Sequence, residues 1–228
     1  MSMANVAAIA SLAPRPGHPV RALAAALLAA AAYGFALGTG KNLTYCWRSA
    51  VKFPLLLLGT GLLCAFAYFV LARFLGAPLR FPAVQRASAA LLRTLAVLLG
   101  SLAPVTLFLG LTMAPPSGRD LGGYPAFVGM NVVFVALAGA LALLLQARVL
   151  LREHGIAPRR AAAVVTGWMA LSLLVGGQLA FWLRPFFGIA SLHGDPPFLL
   201  GDEPTATGAR NFYEVVWQFL CGDAALRR

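Results

Sequence analysis

The sequence predicts an all-α fold: a polytopic membrane helix bundle with about five transmembrane helices and a short C-terminal interfacial helix. Three observations predict it. The 228 residues are 60% hydrophobic and only 11% charged, where a soluble domain carries about 25% charged residues and about 45–50% apolar ones. The apolar residues gather into five runs, each near the roughly 20 helical residues needed to cross a hydrocarbon core of about 30 Å. Proline and glycine clusters divide the runs. This composition excludes a soluble enzyme, a disordered chain and a nucleic-acid-binding domain as first readings.

The first run, Arg21–Gly38, is rich in alanine and the least hydrophobic. Arg15 and Arg21 precede it, but the first thirteen residues contain no basic residue, and a secretory signal needs a charged n-region. The run is therefore expected to stay as a span rather than be cleaved within Ala36–Gly40. The second run is about Pro54–Ala72, the third Leu91–Met113, the fourth Phe127–Leu145 or slightly longer, and the fifth Ala161–Leu183. Helices are required because lipid offers no partner to an open backbone group, and no segment has the short alternating pattern of a membrane β-barrel. Gly76 with Pro78 and Pro82, then Pro115-Pro116-Ser117-Gly118, then Gly155 with Pro158 read as breaks between helices. Pro104 falls inside the third run and is expected to kink that helix without ending it. No internal repeat of the inverted-transporter kind is visible.

These bounds divide the chain into an N-terminal tail (1–20), a five-helix bundle (21–188) and a C-terminal loop with an amphipathic helix (189–228). In the last part, Asn211–Leu220 sets Phe212, Val215, Val216, Phe219 and Leu220 on one helical face. Asn211 and Glu214 stand at capping-box separation. So short a helix cannot span a bilayer, so it lies on the headgroups or docks against the bundle.

The net charge of +11 would point to nucleic acid in a soluble chain. Here it is spread over short loops and reads as the mark of cytoplasmic span ends and anionic headgroups. With the N-terminus inside, that side collects Arg15, Arg21, Arg73, Arg80, Arg86, Arg93, Arg148, Arg152, Arg159 and Arg160. The other side holds Lys41, Arg48, Lys52, Arg119, Arg184 and Arg210. The excess favours N-inside, C-outside, although the first loop brings three basic residues to the outside. All the acids but Glu153 fall outside as well. Sixteen arginines against two lysines, with abundant Ala, Gly and Leu, fit a GC-rich bacterial genome, hence a bacterial inner membrane. Tyr45-Cys46-Trp47-Arg48 and Lys52-Phe53-Pro54, just before the second span, read as an interfacial anchor rather than a nucleotide-stacking surface.

Candidate ligand or partner contacts are few. Arg184, in Trp182-Leu183-Arg184-Pro185-Phe186-Phe187-Gly188, is either a buried charge for an anionic ligand or a tail carboxylate, or an arginine snorkelling from an aromatic belt; the second account is the simpler. Gln178, Asn131, Gln146 and Thr60 lie in or near spans. They would line a transport path if they converged, and otherwise form interhelical hydrogen bonds. The spans carry no Asp or Glu in their cores, which argues against coupling to protons or sodium. Gly59, Gly61, Gly139, Gly176 and Gly177 permit close helix approach, within the bundle or toward a partner. Phe212, Val216 and Phe219 are the tail's apolar contacts. His18, His154 and His193 fall in separate loops; His193 with Asp195 is the one local His/Asp combination and reads as structural. Cys46, Cys64 and Cys221 lack metal or redox spacing. Cys64 reads as a small packing residue, while a Cys46–Cys221 disulfide is open if both are external. Asn42-Leu43-Thr44 reads as a chance sequon. No nucleophile elbow or phosphate loop is present, and no cofactor is expected. The expected partners are membrane lipids and other membrane subunits or a second copy, with no nucleic acid.

The run Lys52-Phe53-Pro54 leading into a span, followed by Thr60, Cys64 and Tyr68 in an N-inside five-span plan, resembles the Yip1-type membrane domain over about residues 20–190. The resemblance implies a five-helix membrane fold. Eukaryotic members act in vesicle trafficking through small GTPases, but the aromatic tail from Phe186 onward departs from that plan, and no functional residue carries over. The sequence thus leaves a non-enzymatic scaffold or accessory subunit, a channel or transporter for a small solute or lipid using Arg184, Gln178 and Asn131, and a membrane enzyme built on His193 and Asp195. The first is the simplest.

Overall fold

The computed structural model describes residues 19–40, 42–113, 124–184, 186, 198–199, 210–214 and 217. Five helices follow one another: α1 (Pro19–Gly38), α2 (Leu43–Phe74), α3 (Phe81–Thr112), α4 (Tyr124–His154) and α5 (Pro158–Trp182). All five are long and apolar enough to cross a membrane, and the chain is a multi-pass membrane protein. Residues 212–214 form a further short helical turn in the tail.

Number and order of the helices match the sequence expectation, but several bounds do not. α2 starts at Leu43 rather than Pro54, α3 at Phe81 rather than Leu91, and α4 runs to His154 rather than Leu145. Hydropathy falls where lipid ends, whereas a helix continues until its backbone is capped. Asn42 supplies the cap of α2, its Oδ1 accepting the Tyr45 backbone N–H at 3.1 Å. The sequon asparagine is thus a helix cap. Pro54 lies inside α2 and Pro104 inside α3, and neither ends its helix. Pro82 and Pro158 occupy the first turns of α3 and α5, where a missing N–H costs nothing. These two prolines start helices; the true breaks are Gly76 and Gly155, with φ of +73° and +60°. At Gly76 the Ala77 N–H reaches the Ala72 carbonyl at 2.9 Å and the Gly76 N–H the Arg73 carbonyl at 3.0 Å, a Schellman closure. At 32 residues each, α2 and α3 are about 48 Å long and overrun a hydrocarbon core of about 30 Å.

α1 lies between α2 and α3, α5 packs on α2, and α4 packs on α3 and more lightly on α5. The first span is not the least hydrophobic, since its mean hydropathy of 1.8 exceeds the 1.6 of α5, and its alanines instead explain its place. Ala22, Ala26, Ala30, Tyr33 and Leu37 form its buried stripe, and small side chains let neighbouring backbones come close. Gly34 faces the Ser49 carbonyl and Gly38 faces the Cys46 backbone, with no room for a side chain at either. On α2 the inward stripe is Tyr45, Ser49, Lys52, Thr60, Cys64, Tyr68 and Ala72.

Two apolar cores result. One joins Ala26, Ala30, Tyr33, Phe53, Leu99, Ala103 and Ala138 of α1 to α4. The other gathers Cys64, Tyr68, Val84, Leu91, Ala142, Val164 and Trp168 from α2 to α5, closed by Leu79 and Ile156 of the interhelical turns. Packing, not water exclusion, holds such contacts in lipid, so steric fit decides them. Gly34→Leu is expected to lower the thermal midpoint of the protein in detergent markedly. Gly139→Leu, where an added Cβ meets nothing within 4 Å, is expected to leave it within about a degree, as surface changes usually do.

Candidate functional site

Asn131, in α4, is buried among Tyr33 and Thr106, which are themselves fully buried. Its Oδ1 accepts the hydroxyls of Tyr33 and Thr106, each at 3.0 Å, and its Nδ2 donates to the Phe127 carbonyl at 2.8 Å. One amide therefore ties α1, α3 and α4. The α2–α5 seam has a second clamp: the Trp168 indole N–H donates to the Tyr68 carbonyl at 3.1 Å, and the two rings lie 5.2 Å apart. The Tyr68 and Ser172 hydroxyls share a short hydrogen bond, and Ser172 donates to the Trp168 carbonyl at 2.7 Å.

At the end of the bundle where α2 begins and α5 finishes, the tail folds back onto the helices. Ser49 donates to the Phe186 carbonyl at 2.6 Å, and Phe186 meets Phe53 edge-on with centroids 6.4 Å apart. The Lys52 ammonium lies 4.8 Å from the Phe198 ring centroid, an arrangement that favours the cation. Further along, the Phe212 N–H donates to Gln178 Oε1 at 3.3 Å. The Phe212 ring fills the space left by Gly177, where a Cβ would lie 2.6 Å from it. Tyr213 donates to the Leu174 carbonyl. The expected cap forms: Glu214 N–H donates to Asn211 Oδ1 at 2.9 Å, while the Glu214 carboxylate accepts from Asn211 Nδ2 at 2.6 Å and from the Arg210 N–H at 2.7 Å.

Of the expected contacts, the structure brings Gln178 and Phe212 together. Asn131 bonds to Tyr33 and Thr106 instead. Arg184 stacks 3.6 Å from the Phe181 ring centroid and donates from Nε to the Phe181 carbonyl at 2.8 Å, so its contacts include its own helix end. Val216, Phe219, Cys221, His18, His193 and Asp195 lie outside the described residues. Cys46 is a free, buried thiol donating to the Asn42 carbonyl at 3.3 Å. Cys64 packs against Leu171 across the α2–α5 seam.

Two expectations need correction. The basic and aromatic residues before Pro54 do not form an exposed anchor: Tyr45 and Lys52 are fully buried, and Trp47 alone of its group stands well outward. Their helical spacing with Ser49 and Thr60 turns them inward, a signal present in the sequence once the helix is extended back to Asn42. Gln146 is buried, yet its Nε2 has no hydrogen-bond partner, so the interhelical bond expected of it is not made by that nitrogen. Of the small-residue faces, whose use within the bundle or toward a partner the sequence left open, Gly59 faces Leu179, Gly176 faces Thr60 and Gly61 faces Leu92, whereas Gly139 makes no close approach within the bundle.

Asn131→Leu leaves two buried hydroxyls without their acceptor, and a loss of roughly 1–3 kcal/mol is expected. Gln146→Leu removes an orphaned donor and is expected to be neutral or stabilising. Reversible unfolding in mixed micelles checks the pair. Phe212→Asp is expected to free the tail from α5, read as faster proteolysis after residue 186 with the five helices intact.

No protein-family model matches the chain, and no curated protein and no solved structure matches it. The polar clamps, the docked tail and the outward faces of the helices are what its function must be read from.

Proposed function

We propose that the chain is a non-enzymatic protein of the bacterial inner membrane, acting as a scaffold or accessory subunit of a membrane complex. The observation that carries this reading is the contrast between the bundle's interior and the outer face of α4. Inside, Asn131, Tyr33 and Thr106 are bonded to one another, and Trp168 with Tyr68 fills the α2–α5 seam. The apolar window of α4 is only 17% buried, against 39% for α1. Val132, Val133, Leu137 and Leu144 stand outward there, and open Gly139 among them lets another span approach closely.

The N-terminus is read as cytoplasmic. Arg21, Arg73, Arg80, Arg86, Arg148, Arg152, Arg159 and Arg160 cluster toward the end of the bundle that carries the α2–α3 and α4–α5 turns. At the opposite end, Lys52 is buried under Phe198 rather than exposed in a loop. The resemblance to Yip1-type domains bears on the five-helix plan alone and lends neither a role nor a functional residue.

A second reading, a channel or carrier for a small solute, is favoured by one observation, the unpartnered Nε2 of buried Gln146. In lipid such a group calls for a polar occupant. Purification from native membranes in mild detergent, followed by mass spectrometry, separates the two. A membrane subunit retained in fixed stoichiometry by the native chain and lost from Gly139→Leu is the expected result. A protein that purifies alone and makes liposomes permeable in a Gln146-dependent way would overturn the scaffold reading in favour of the channel.

A further inference from the structure

Where α2 turns into α3, a cavity of about 400 Å³ opens between that turn and the end of α4, lined by Pro78, Arg80, Pro82, Ala83, Arg86 and His154. That volume lies within the usual range for small-molecule sites. Among the described residues its lining holds two guanidinium groups and an imidazole, and no carboxylate.

Several features give this cavity a consistent character. Arg80 is the cap residue of α3, and its side chain makes no capping bond. Arg86 donates from Nε to the Pro82 carbonyl at 3.3 Å, which fixes one edge of the guanidinium. The first turn of α3 presents the positive end of the helix dipole to the same place. Arg160 closes the neighbouring turn by donating to the Gly76 carbonyl at 3.5 Å. The helix ends that flank this turn are apolar: Phe74, at the end of α2, is 85% exposed, and Phe81, at the start of α3, stands partly outward against Phe69. The exposed Arg80, Arg86 and His154 that line the depression, with outward Phe74 and Phe81 at the adjoining ends of α2 and α3, match an amphiphile, with a phosphate for the arginines and acyl chains for the aromatic rings. α3 also overruns the hydrocarbon core, which sets its first turns at headgroup depth.

We propose that this cavity binds the phosphate-bearing headgroup of an anionic phospholipid in the adjoining leaflet. Basic pockets between membrane helices hold such headgroups through the same pairing of charge with phosphate. The site is independent of what covers α4.

The test uses the full chain in mild detergent, with phosphatidylglycerol, phosphatidylcholine and inorganic phosphate as probes. Bound lipid is counted by native mass spectrometry, and the thermal midpoint is followed alongside. The native protein should retain phosphatidylglycerol over phosphatidylcholine and be stabilised by it. At about fivefold per arginine, Arg80→Gln with Arg86→Gln should weaken retention by roughly 25-fold. Arg80→Gln alone repeats the test, at about fivefold, should the double variant not fold. A control pair at exposed positions outside the lining, Arg73→Gln with Arg152→Gln, should bind as the native chain does. Equal retention of the two lipids, or equal losses in the control pair, would overturn the proposal. So would inorganic phosphate displacing phosphatidylglycerol and giving the same stabilisation, because the occupant would then be a free anion.

Discussion

Asn131 joins three helices because, at its depth in the bundle, its amide has only other protein groups to bond. In water the Tyr33 and Thr106 hydroxyls would exchange such a partner for solvent at little cost; in lipid they cannot. Their bonds to one Oδ1 therefore set how α1, α3 and α4 stand relative to one another. That constraint reaches further than its own residues. With α1 fixed, Gly34 and Gly38 meet the α2 backbone, and α2 carries the seam on which Trp168 of α5 closes.

Small and large residues divide the work. α1 is built from alanine and glycine and is enclosed by two neighbours; α5 meets α2 through a tryptophan and a tyrosine that bond across the seam. α4 has neither arrangement over most of its length, and its Ala138, Ala142 and Leu143 are buried while its other faces stay open. The helix whose apolar window is least buried is thus also the one with an open glycine. This coincidence is the structural basis for placing a partner there.

The two ends of the bundle differ in chemistry. At one, the tail brings Phe186, Phe198 and Phe212 over Ser49, Lys52 and Gly177, so that aromatic rings and backbone carbonyls cover the polar groups. At the other, short turns at Gly76 and Gly155 leave arginines around a cavity. The asymmetry follows from segment length: a long tail can fold over one end, whereas turns of six and three residues cannot bury the charges that flank them.

Composition and run length by themselves determined that the chain is a five-helix membrane bundle, because the need to satisfy backbone groups in lipid leaves few alternatives. The Asn211–Glu214 cap was legible for the same reason, since capping is a local matter of side-chain reach. The helix bounds at Leu43 and Phe81 were not legible from hydropathy, which reports on the solvent rather than on hydrogen bonding. The site depended on tertiary structure more heavily. Sequence marked Asn131, Gln178 and Phe212 as polar or apolar residues of interest, but their partners lie from 25 to 98 positions away. Lys52 looked like a surface charge until the fold turned its face inward. Which polar group finds a partner, and which, like Gln146, keeps a nitrogen without one, is decided only when the helices pack, because interhelical bonds carry no local signature.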